Sequence, residues 1–290
     1  MTINKSVAYF NGDFIKVDDA VMPLEERGLQ FGDSVYEVIR VYNGKPYTLI
    51  EHLQRLLISS ESIMLASPNV MELEELVLQG IDKLQMQSGT IYLQITRGSA
   101  SRNHEFPIDA HQNLMAIWKV DEGVISTPDQ GVKLKSFPDE RWKKCFIKST
   151  CLLPNVLAKE KAKRKGCYEA LLIRDAEIKE CSAMNVFIVK DGVVKTPPAD
   201  QSILNGITRQ KVLSLASQNG LLTSETVLTI EDIEVADEIF ITSTTKELIP
   251  VTQVDNFIIG NGKLGENFSL IHRLYKEDVI RECGAGTNKV

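Results

Sequence analysis

Apolar and polar residues alternate along the N-terminal part of the chain in a way that predicts two β-hairpins. The first runs from Val7 to Val17 and turns at Asn11-Gly12, and the second runs from Val38 to Ile50 and turns at Asn43-Gly44. Asn-Gly between apolar, β-branched segments favours a tight hairpin turn, because both residues tolerate a positive φ.

The pattern then changes to a helical period. Glu51–Met64 carries apolar residues at helical spacing, and Glu72–Met86 follows the same rule. Thr90–Thr96 and Leu114–Lys119 read as strands. We therefore predict a small α+β domain over residues 1–120.

Residues 121–131 hold Gly123, Pro128 and Gly131 with few large apolar side chains, which is typical of a linker between domains. Residues 132–290 are predicted to form a larger domain. Its predicted strands are Val132–Phe137, Cys145–Lys148, Tyr168–Arg174, Asn185–Val189 and Glu238–Thr242, and its predicted helices are Asn155–Lys165, Thr208–Gln218 and Glu266–Glu282. Hairpins mixed with a few helices favour an α+β or barrel-like fold over a regularly alternating parallel sheet.

Composition narrows the class of protein. The chain has 290 residues, 43% of them apolar, and a formal net charge of -6, which argues against a nucleic-acid partner. It shows no signal peptide and no apolar run of about 18 residues that could span a membrane. The five cysteines lack metal-ligand spacing, so we expect reduced thiols, no metal site and a cytoplasmic location.

Lys148 is the first candidate for chemistry. The predicted strand places it on one face with Trp142, Lys144 and Phe146, and a lysine beside aromatic rings loses hydration. That loss favours the neutral, nucleophilic amine that a Schiff base needs. Taken alone, however, Lys148 fits an exposed lysine better, because lysine is seldom buried.

Glu180 is the second candidate. A carboxylate beside a pyridine nitrogen keeps that nitrogen protonated, which allows a pyridoxal ring to act as an electron sink. By charge and position alone, Glu180 fits better a surface glutamate that closes a hairpin around Asp175-Ala176, because glutamates are mostly exposed.

The segment from Leu204 to Arg209 could hold a phosphate group. Gly206 allows close approach of the backbone, and Thr208 is expected to cap a helix whose free N–H groups face an anion. Ser243-Thr244-Thr245 would add hydroxyl groups, and Arg55 could add a charge. Each of these signals is weak separately, since such residues are common in turns and on helix surfaces.

Together these residues resemble a known family. The run from Glu180 to Arg209 resembles the class IV aminotransferase pattern, and the resemblance extends along almost the whole chain, closest to D-amino acid aminotransferases. The segments that carry it further are Arg27–Val38, Glu51–Leu56, Asn155–Ala158 and Gly166–Ala170. The resemblance implies a two-domain fold-type IV enzyme, with a small α/β domain and a larger barrel-like β domain with flanking helices. It also implies pyridoxal 5′-phosphate as cofactor and a homodimer with shared active sites.

The resemblance assigns roles to individual residues. Lys148 would form the covalent link to the cofactor and move the proton at the substrate Cα, and Glu180 would pair with the pyridine nitrogen. The residues implied around the phosphate and ring are Arg55, Ile207, Thr208, Thr244 and, against the ring, Leu204.

The segment Thr96–His104 resembles the part of D-amino acid aminotransferases that binds the substrate carboxylate. Arg102 and His104, reaching in from the other subunit, would form this pocket with Tyr36. A guanidinium, an imidazole and a phenol make a charge-assisted site for an anion. As isolated residues they would fit an ordinary surface loop.

Other subgroups match less well. Branched-chain aminotransferases usually carry a tyrosine where this chain has Leu153, and aminodeoxychorismate lyases usually carry Asn-Arg where it has Cys151-Leu152. The chain also departs from the D-amino acid group at Cys151, Pro154 and Ala183-Met184. These departures leave the expected lysine, carboxylate and phosphate site intact.

The sequence therefore predicts a transaminase that moves the amino group of a D-amino acid to a 2-oxo acid by a ping-pong mechanism. A branched-chain L-amino acid transaminase, an (R)-amine transaminase and the lyase remain alternatives within the same fold. A cofactor-binding protein without turnover is the alternative from another class.

Overall fold

The computed structural model describes residues 6–285 apart from residues 122, 124, 126, 127 and 129. The predicted linker, residues 121–131, therefore lies partly outside the described residues. The chain divides into two compact units, the first formed by Met1–Val124, Ile147–Cys151 and Val279–Val290, and the second by Ile125–Phe146 and Leu152–Asp278. The domain boundaries given above stay a prediction.

The first unit contains a six-stranded antiparallel sheet in the order β2-β1-β6-β5-β3-β4. Its longest pair joins β3 and β5 over nine residue pairs, from Ser34 opposite Thr96 to Tyr42 opposite Ser88. The strands are β1 (Ser6–Phe10), β2 (Asp13–Ile15), β3 (Ser34–Tyr42), β4 (Lys45–Pro46), β5 (Ser88–Thr96) and β6 (Asn113–Val120). Both predicted Asn-Gly hairpins are confirmed, with Asn11 and Asn43 at positive φ, but β4 is only two residues long.

Helices α1 (Arg27–Phe31), α2 (Leu49–Ser62) and α3 (Val70–Lys83) lie wholly in the same unit, which also contains a short 3-10 helix at Val17–Asp19. Asn69 caps α3 by accepting hydrogen bonds from the N–H groups of Met71 and Glu72. Gly80 of α3 lies against the fully buried Trp118 of β6, so closely that a Cβ atom at Gly80 would lie 2.1 Å from the indole ring. The absence of a side chain at Gly80 is therefore what allows the helix and the indole to meet.

The second unit contains a ten-stranded mixed sheet. Its path runs β12-β11-β10-β14-β15-β7-β8-β9-β13, with β16 paired to β15. The strands are β7 (Val132–Pro138), β8 (Glu169–Arg174), β9 (Glu177–Cys181), β10 (Asn185–Lys190), β11 (Val193–Thr196), β12 (Leu222–Glu225), β13 (Leu228–Thr229), β14 (Glu238–Ser243), β15 (Glu247–Val254) and β16 (Phe257–Ile258). Strand β7 is parallel to both β8 and β15, whereas the other neighbours are antiparallel except β11 and β12.

Alternation along the strands buries both faces of the central part of this sheet. Val186, Ile188, Ile239 and Ile241 belong to one buried apolar cluster, whereas Phe187 and Phe240 alternate with them, and their stacked rings have centroids 4.8 Å apart. The helices are α4 (Leu153–Arg164), α5 (Ile207–Gln218), α6 (Ile230–Glu234) and α7 (Glu266–Cys283), the last counted in the second unit as far as Asp278. Within the described ranges, no helix is both long and apolar enough to cross a membrane.

The predicted strand at Cys145–Lys148 is wrong. These residues form turns and bends instead of a strand. The next residue, Ser149, forms an isolated β-bridge with Val35. The N–H groups find partners outside any ladder, since Phe146 donates to the carbonyl of Gln201 and Lys148 donates to the hydroxyl of Ser59. The predicted face that joined Lys148 to Trp142, Lys144 and Phe146 therefore does not exist.

Candidate active site

The backbone of Lys148 is held at both of its polar groups. Its N–H donates to Ser59 Oγ at 3.2 Å, and its carbonyl accepts from the N–H of Tyr36 at 3.0 Å. Its Nζ lies 4.3 Å from the centroid of the Tyr36 ring. The aromatic ring beside the Lys148 amine is therefore that of Tyr36 in β3. The two backbone hydrogen bonds hold the Cα atom from which the lysine side chain extends.

Arg55 forms a buried ion pair that sequence reasoning missed. Its Nε and Nη2 donate to the two oxygens of Glu37 at 2.6 and 2.7 Å, and Nδ1 of His52 lies 2.7 Å from one of them. Arg55 is 9% exposed and Glu37 is fully buried. Glu37 could have been found because it alternates inward on β3, while His52 and Arg55 lie three positions apart on one face of α2.

Burial and the neighbouring charges determine the ionisation states of Glu37 and His52. Burial acts to raise the pKa of Glu37, but the charges and hydrogen bonds of Arg55 and His52 outweigh it and hold that pKa far below its usual range. Burial lowers the pKa of His52 although Glu37 raises it. The cluster is therefore an ionised carboxylate, a guanidinium and a neutral imidazole, and it fixes the orientation of Arg55.

Tyr36 stacks on a second tyrosine. The rings of Tyr36 and Tyr92 have centroids 5.5 Å apart and an interplanar angle of 26°. Tyr92 donates its hydroxyl proton to Gln94 at 2.6 Å, and burial raises the pKa of Tyr92 to about 12. Tyr92 therefore stays a neutral phenol and a hydrogen-bond donor at physiological pH.

Arg102 and His104 lie on an exposed loop of the first unit. The guanidinium carbon of Arg102 is 4.8 Å from the centroid of the Phe31 ring, and the His104 ring is 5.5 Å from it. Among the described residues, the ring contacts and hydrogen bonds of Tyr36 include neither Arg102 nor His104. Their expected role in the partner's site stays a prediction.

In the second unit, Glu180 is the centre of a buried hydrogen-bond network. It accepts from Arg141, from Asn185 Nδ2 at 3.0 Å and from the N–H of Leu204 at 3.2 Å. It lies at the end of β9, beyond the predicted turn at Asp175 and Ala176, which is confirmed. A carboxylate has about four lone-pair positions, so Glu180 keeps room for one further donor, such as a protonated ring nitrogen.

Arg141 is the residue at Glu180 that sequence reasoning missed. It is held by Asp139, to which Nε donates at 2.9 Å, and it donates to the carbonyl of Ser202. Burial raises the pKa of the Glu180 carboxyl, and the guanidinium of Arg141 opposes that rise. No spacing rule marks Arg141, because it meets Glu180 from a segment without regular secondary structure.

The predicted phosphate site is the start of α5. Gly206 is the N-cap and no side chain caps the helix, so the first-turn N–H groups are free of a capping side chain. The expectation that Thr208 is the N-cap is wrong, since Thr208 is the second residue of α5 and is 5% exposed. A Cβ atom at Gly206 would lie 2.0 Å from Asn185 Oδ1, so a side chain there would disturb the residue that holds both Glu180 and the carbonyl of Leu204.

A buried hydroxyl lies next to this arrangement. Thr242 pairs with Asn185 across β14 and β10, is 1% exposed, and its Oγ1 has no hydrogen-bond partner in the described part of the chain. Thr244 follows it in the turn between β14 and β15. An unpaired buried hydroxyl and an uncapped helix are features that a bound phosphate or water would satisfy, so these residues fit the phosphate end of the cofactor.

The departures from the family pattern have local explanations. Pro154 lies in the first turn of α4, where proline needs no N–H donor. Met184 is 6% exposed within the main apolar cluster of the second unit. Cys151 is exposed, and its Sγ is 3.6 Å from the carbonyl oxygen of Gly32.

Comparison with known proteins identifies the family. The model of the family "Amino-transferase class IV" matches residues 34–254. The chain belongs to the class IV aminotransferases. A D-alanine aminotransferase of Listeria monocytogenes is 41% identical over 280 residues, which cover 94% of this chain and 96% of the relative. One from Bacillus licheniformis is 39% identical over 274 residues, covering 94% and 97%.

Solved class IV aminotransferases share the fold. The branched-chain amino acid aminotransferase of Escherichia coli superimposes with a TM-score of 0.88 at 28% identity, covering 93% of each chain. The T.th. branched-chain amino acid aminotransferase, solved with N-(5′-phosphopyridoxyl)-L-glutamate, gives a TM-score of 0.86 at 26% identity, covering 94% of this chain and 93% of that one. The predicted α+β fold, the predicted enzyme class and the predicted cofactor, pyridoxal 5′-phosphate, are thereby confirmed.

Proposed function

We propose that this class IV aminotransferase moves the amino group of a D-amino acid such as D-alanine to a 2-oxo acid. The observation that carries the proposal is the 41% identity to a D-alanine aminotransferase over 94% of the chain. The branched-chain enzymes that share the fold are only 26–28% identical to it.

The residues described above supply the parts that such a reaction needs. Pyridoxal 5′-phosphate, when bound, supplies the electron sink for the electron pair left at the substrate Cα. Lys148 accepts the proton from Cα of the donor, and in the second half-reaction it delivers a proton to Cα of the amino acid that is formed. Its backbone is held by Ser59 and Tyr36. The amino group leaves the donor in one half-reaction and reaches the acceptor in a second one, after the first product has left, which predicts ping-pong kinetics.

Other groups bind and orient. Glu180 accepts a hydrogen bond from the protonated ring nitrogen and stays in place through Arg141 and Asn185. The residues proposed to hold the phosphate are Arg55, Ile207, Thr208 and Thr244, with Leu204 against the ring. Ile207 and Thr208 lie in the first turn of α5, which no side chain caps, and Thr244 follows β14.

The carboxylate pocket decides the stereochemistry. Tyr36, together with Arg102 and His104 of the partner subunit, would bind the donor carboxylate on one side of the ring. Fixing the carboxylate fixes which face of Cα meets Lys148, and so selects one enantiomer. The proposal therefore includes a homodimer.

All five cysteines are free thiols, which favours a location in the cytoplasm.

A donor panel tests the proposal. D-alanine, L-leucine and an aromatic (R)-amine are each offered first without an acceptor, when the visible absorbance of the cofactor reports the first half-reaction. They are then offered with 2-oxoglutarate, when the glutamate formed measures turnover. We expect D-alanine to be used far faster than the other two. Comparable turnover of L-leucine would point to a branched-chain enzyme, and yellow protein unchanged by every donor would point to a binding protein without turnover.

A further inference from the structure

A buried arginine lies against the loop that carries Arg102 and His104. Arg27, the first residue of α1, is only 3% exposed. Its Nη1 donates to the carbonyl of Asn103 at 2.6 Å and to that of Glu105 at 3.3 Å. One guanidinium thus holds the backbone on both sides of His104.

The same helix touches the two side chains of the loop. Phe31, at the end of α1, has its ring centroid 4.8 Å from the guanidinium carbon of Arg27 and 4.8 Å from that of Arg102. The His104 ring is 5.5 Å from the same ring. The loop is therefore fixed through its backbone by Arg27 and through its side chains by Phe31.

Arg27 is itself locked in place. Its Nε donates to Asp33 Oδ2 at 2.9 Å, and Arg97 donates to both oxygens of the same carboxylate at 2.8 and 2.9 Å. Arg97 is anchored in turn by the carbonyls of Ile63 and Met64. A planar guanidinium whose Nε–H is already bonded keeps its remaining N–H groups in a fixed direction.

We propose that Arg27 is a positioning residue for substrate binding, which presents Arg102 and His104 to the donor carboxylate in one geometry. This rests on the proposed function, in which these two residues bind that carboxylate. Without the fork of Arg27 the loop samples other conformations, and the apparent affinity for the donor falls by the fraction that stays competent. Lys148 is untouched, so the chemical step should change little.

The test uses the holoenzymes of Arg27→Gln and Arg27→Lys. The matched control is Arg40→Gln, because Arg40 is a buried arginine of the same unit, 2% exposed, bonded to Asp121 and Ser88 and to no part of the loop. We expect Arg27→Gln to raise KM for D-alanine about tenfold or more. This is the loss of affinity that corresponds to the hydrogen bonds from the charged guanidinium that the variant removes. kcat should stay within about threefold, and Arg27→Lys should lie between, since an ammonium lacks the planar fork.

A pair of probes separates positioning from general damage. Aminooxyacetate carries a carboxylate and methoxyamine does not, while both would form an oxime at the aldehyde carbon of pyridoxal 5′-phosphate and release the amine of Lys148. Arg27→Gln and Arg27→Lys should slow the reaction with aminooxyacetate and leave that with methoxyamine unchanged. Equal slowing of both probes would mean a merely structural role and would overturn the inference.

Two further measurements keep the outcomes distinct. Arg102→Ala is assayed in parallel: if it leaves KM for D-alanine unchanged, the proposed carboxylate pocket fails. If it raises KM while neither Arg27 variant does, the inference about Arg27 fails alone. Amide hydrogen exchange over residues 102–106 needs no substrate, and should be faster in Arg27→Lys than in Arg40→Gln. Unchanged exchange there would also overturn the inference, even if Arg27→Gln does not fold.

Discussion

Replacing Glu37 by glutamine should destabilise the first unit more than any surface substitution. Glu37 is fully buried and accepts from both Arg55 and His52. Glutamine keeps the volume but loses the charge and one acceptor oxygen, so the buried guanidinium of Arg55 loses the carboxylate that pairs with it. Removing one partner of a buried ion pair costs about 3–5 kcal/mol, which is roughly a hundredfold or more in the folded-to-unfolded ratio.

The pH dependence identifies the cause. Because the folded-state pKa of Glu37 is lowered, its contribution is fully present above the unfolded pKa of about 4.3 and is lost as pH falls through the folded value. The stability difference between wild type and Glu37→Gln should therefore be flat from about pH 8 to pH 5. It should shrink only below the unfolded pKa, because the unfolded carboxylate then takes up a proton while the folded one stays ionised.

The assay is denaturant unfolding across this pH range, with Glu51→Gln as control. Glu51 is an exposed carboxylate on the same helix as Arg55, and its substitution should cost less than about 1 kcal/mol. Glu37→Gln should also bind pyridoxal 5′-phosphate more weakly, because Arg55 loses its fixed orientation; titration of the apoenzyme measures this. A free energy of unfolding within about 1 kcal/mol of wild type would refute the argument that Glu37 is the counter-ion of Arg55.

Three other substitutions test the candidate site. Lys148→Ala should fold but lose nearly all turnover of D-alanine; full activity would remove the proposed mechanism. Ser59→Ala leaves the amide N–H of Lys148 without its acceptor, which should cost about 1–3 kcal/mol of stability. We expect kcat to fall while cofactor binding is kept, with partial rescue in Ser59→Thr; an unchanged kcat would show that this bond is dispensable. In Arg141→Met the pKa of Glu180 should rise, because burial raises it and the guanidinium that opposes burial is gone, leaving the hydrogen bond from the Leu204 N–H. The acidic limb of the kcat–pH profile should therefore move to higher pH, and a profile identical to wild type would count against that role.

Local signals in the sequence identified much of the fold. The Asn-Gly turns at Asn11 and Asn43 were correct because a tight turn depends on the φ preferences of its own two residues. A helix was predicted to start at Thr208 and is present, but its N-cap is Gly206, two residues earlier. The strand expected at Cys145–Lys148 failed because its N–H groups bond to distant residues such as Ser59 and Gln201, which no local pattern reveals.

The sequence alone determined the residue types and spacings that point to the chemistry: a lysine, a carboxylate and a glycine-led helix in the order of a class IV aminotransferase. Only the tertiary structure showed what holds them, namely Glu37 on Arg55, Arg141 and Asn185 on Glu180, and Arg27 against the loop of His104. The physical reason is the distance along the chain between partners. A helix period or a turn is set by neighbouring residues, whereas a buried charge takes its partner from whatever segment the completed fold brings beside it.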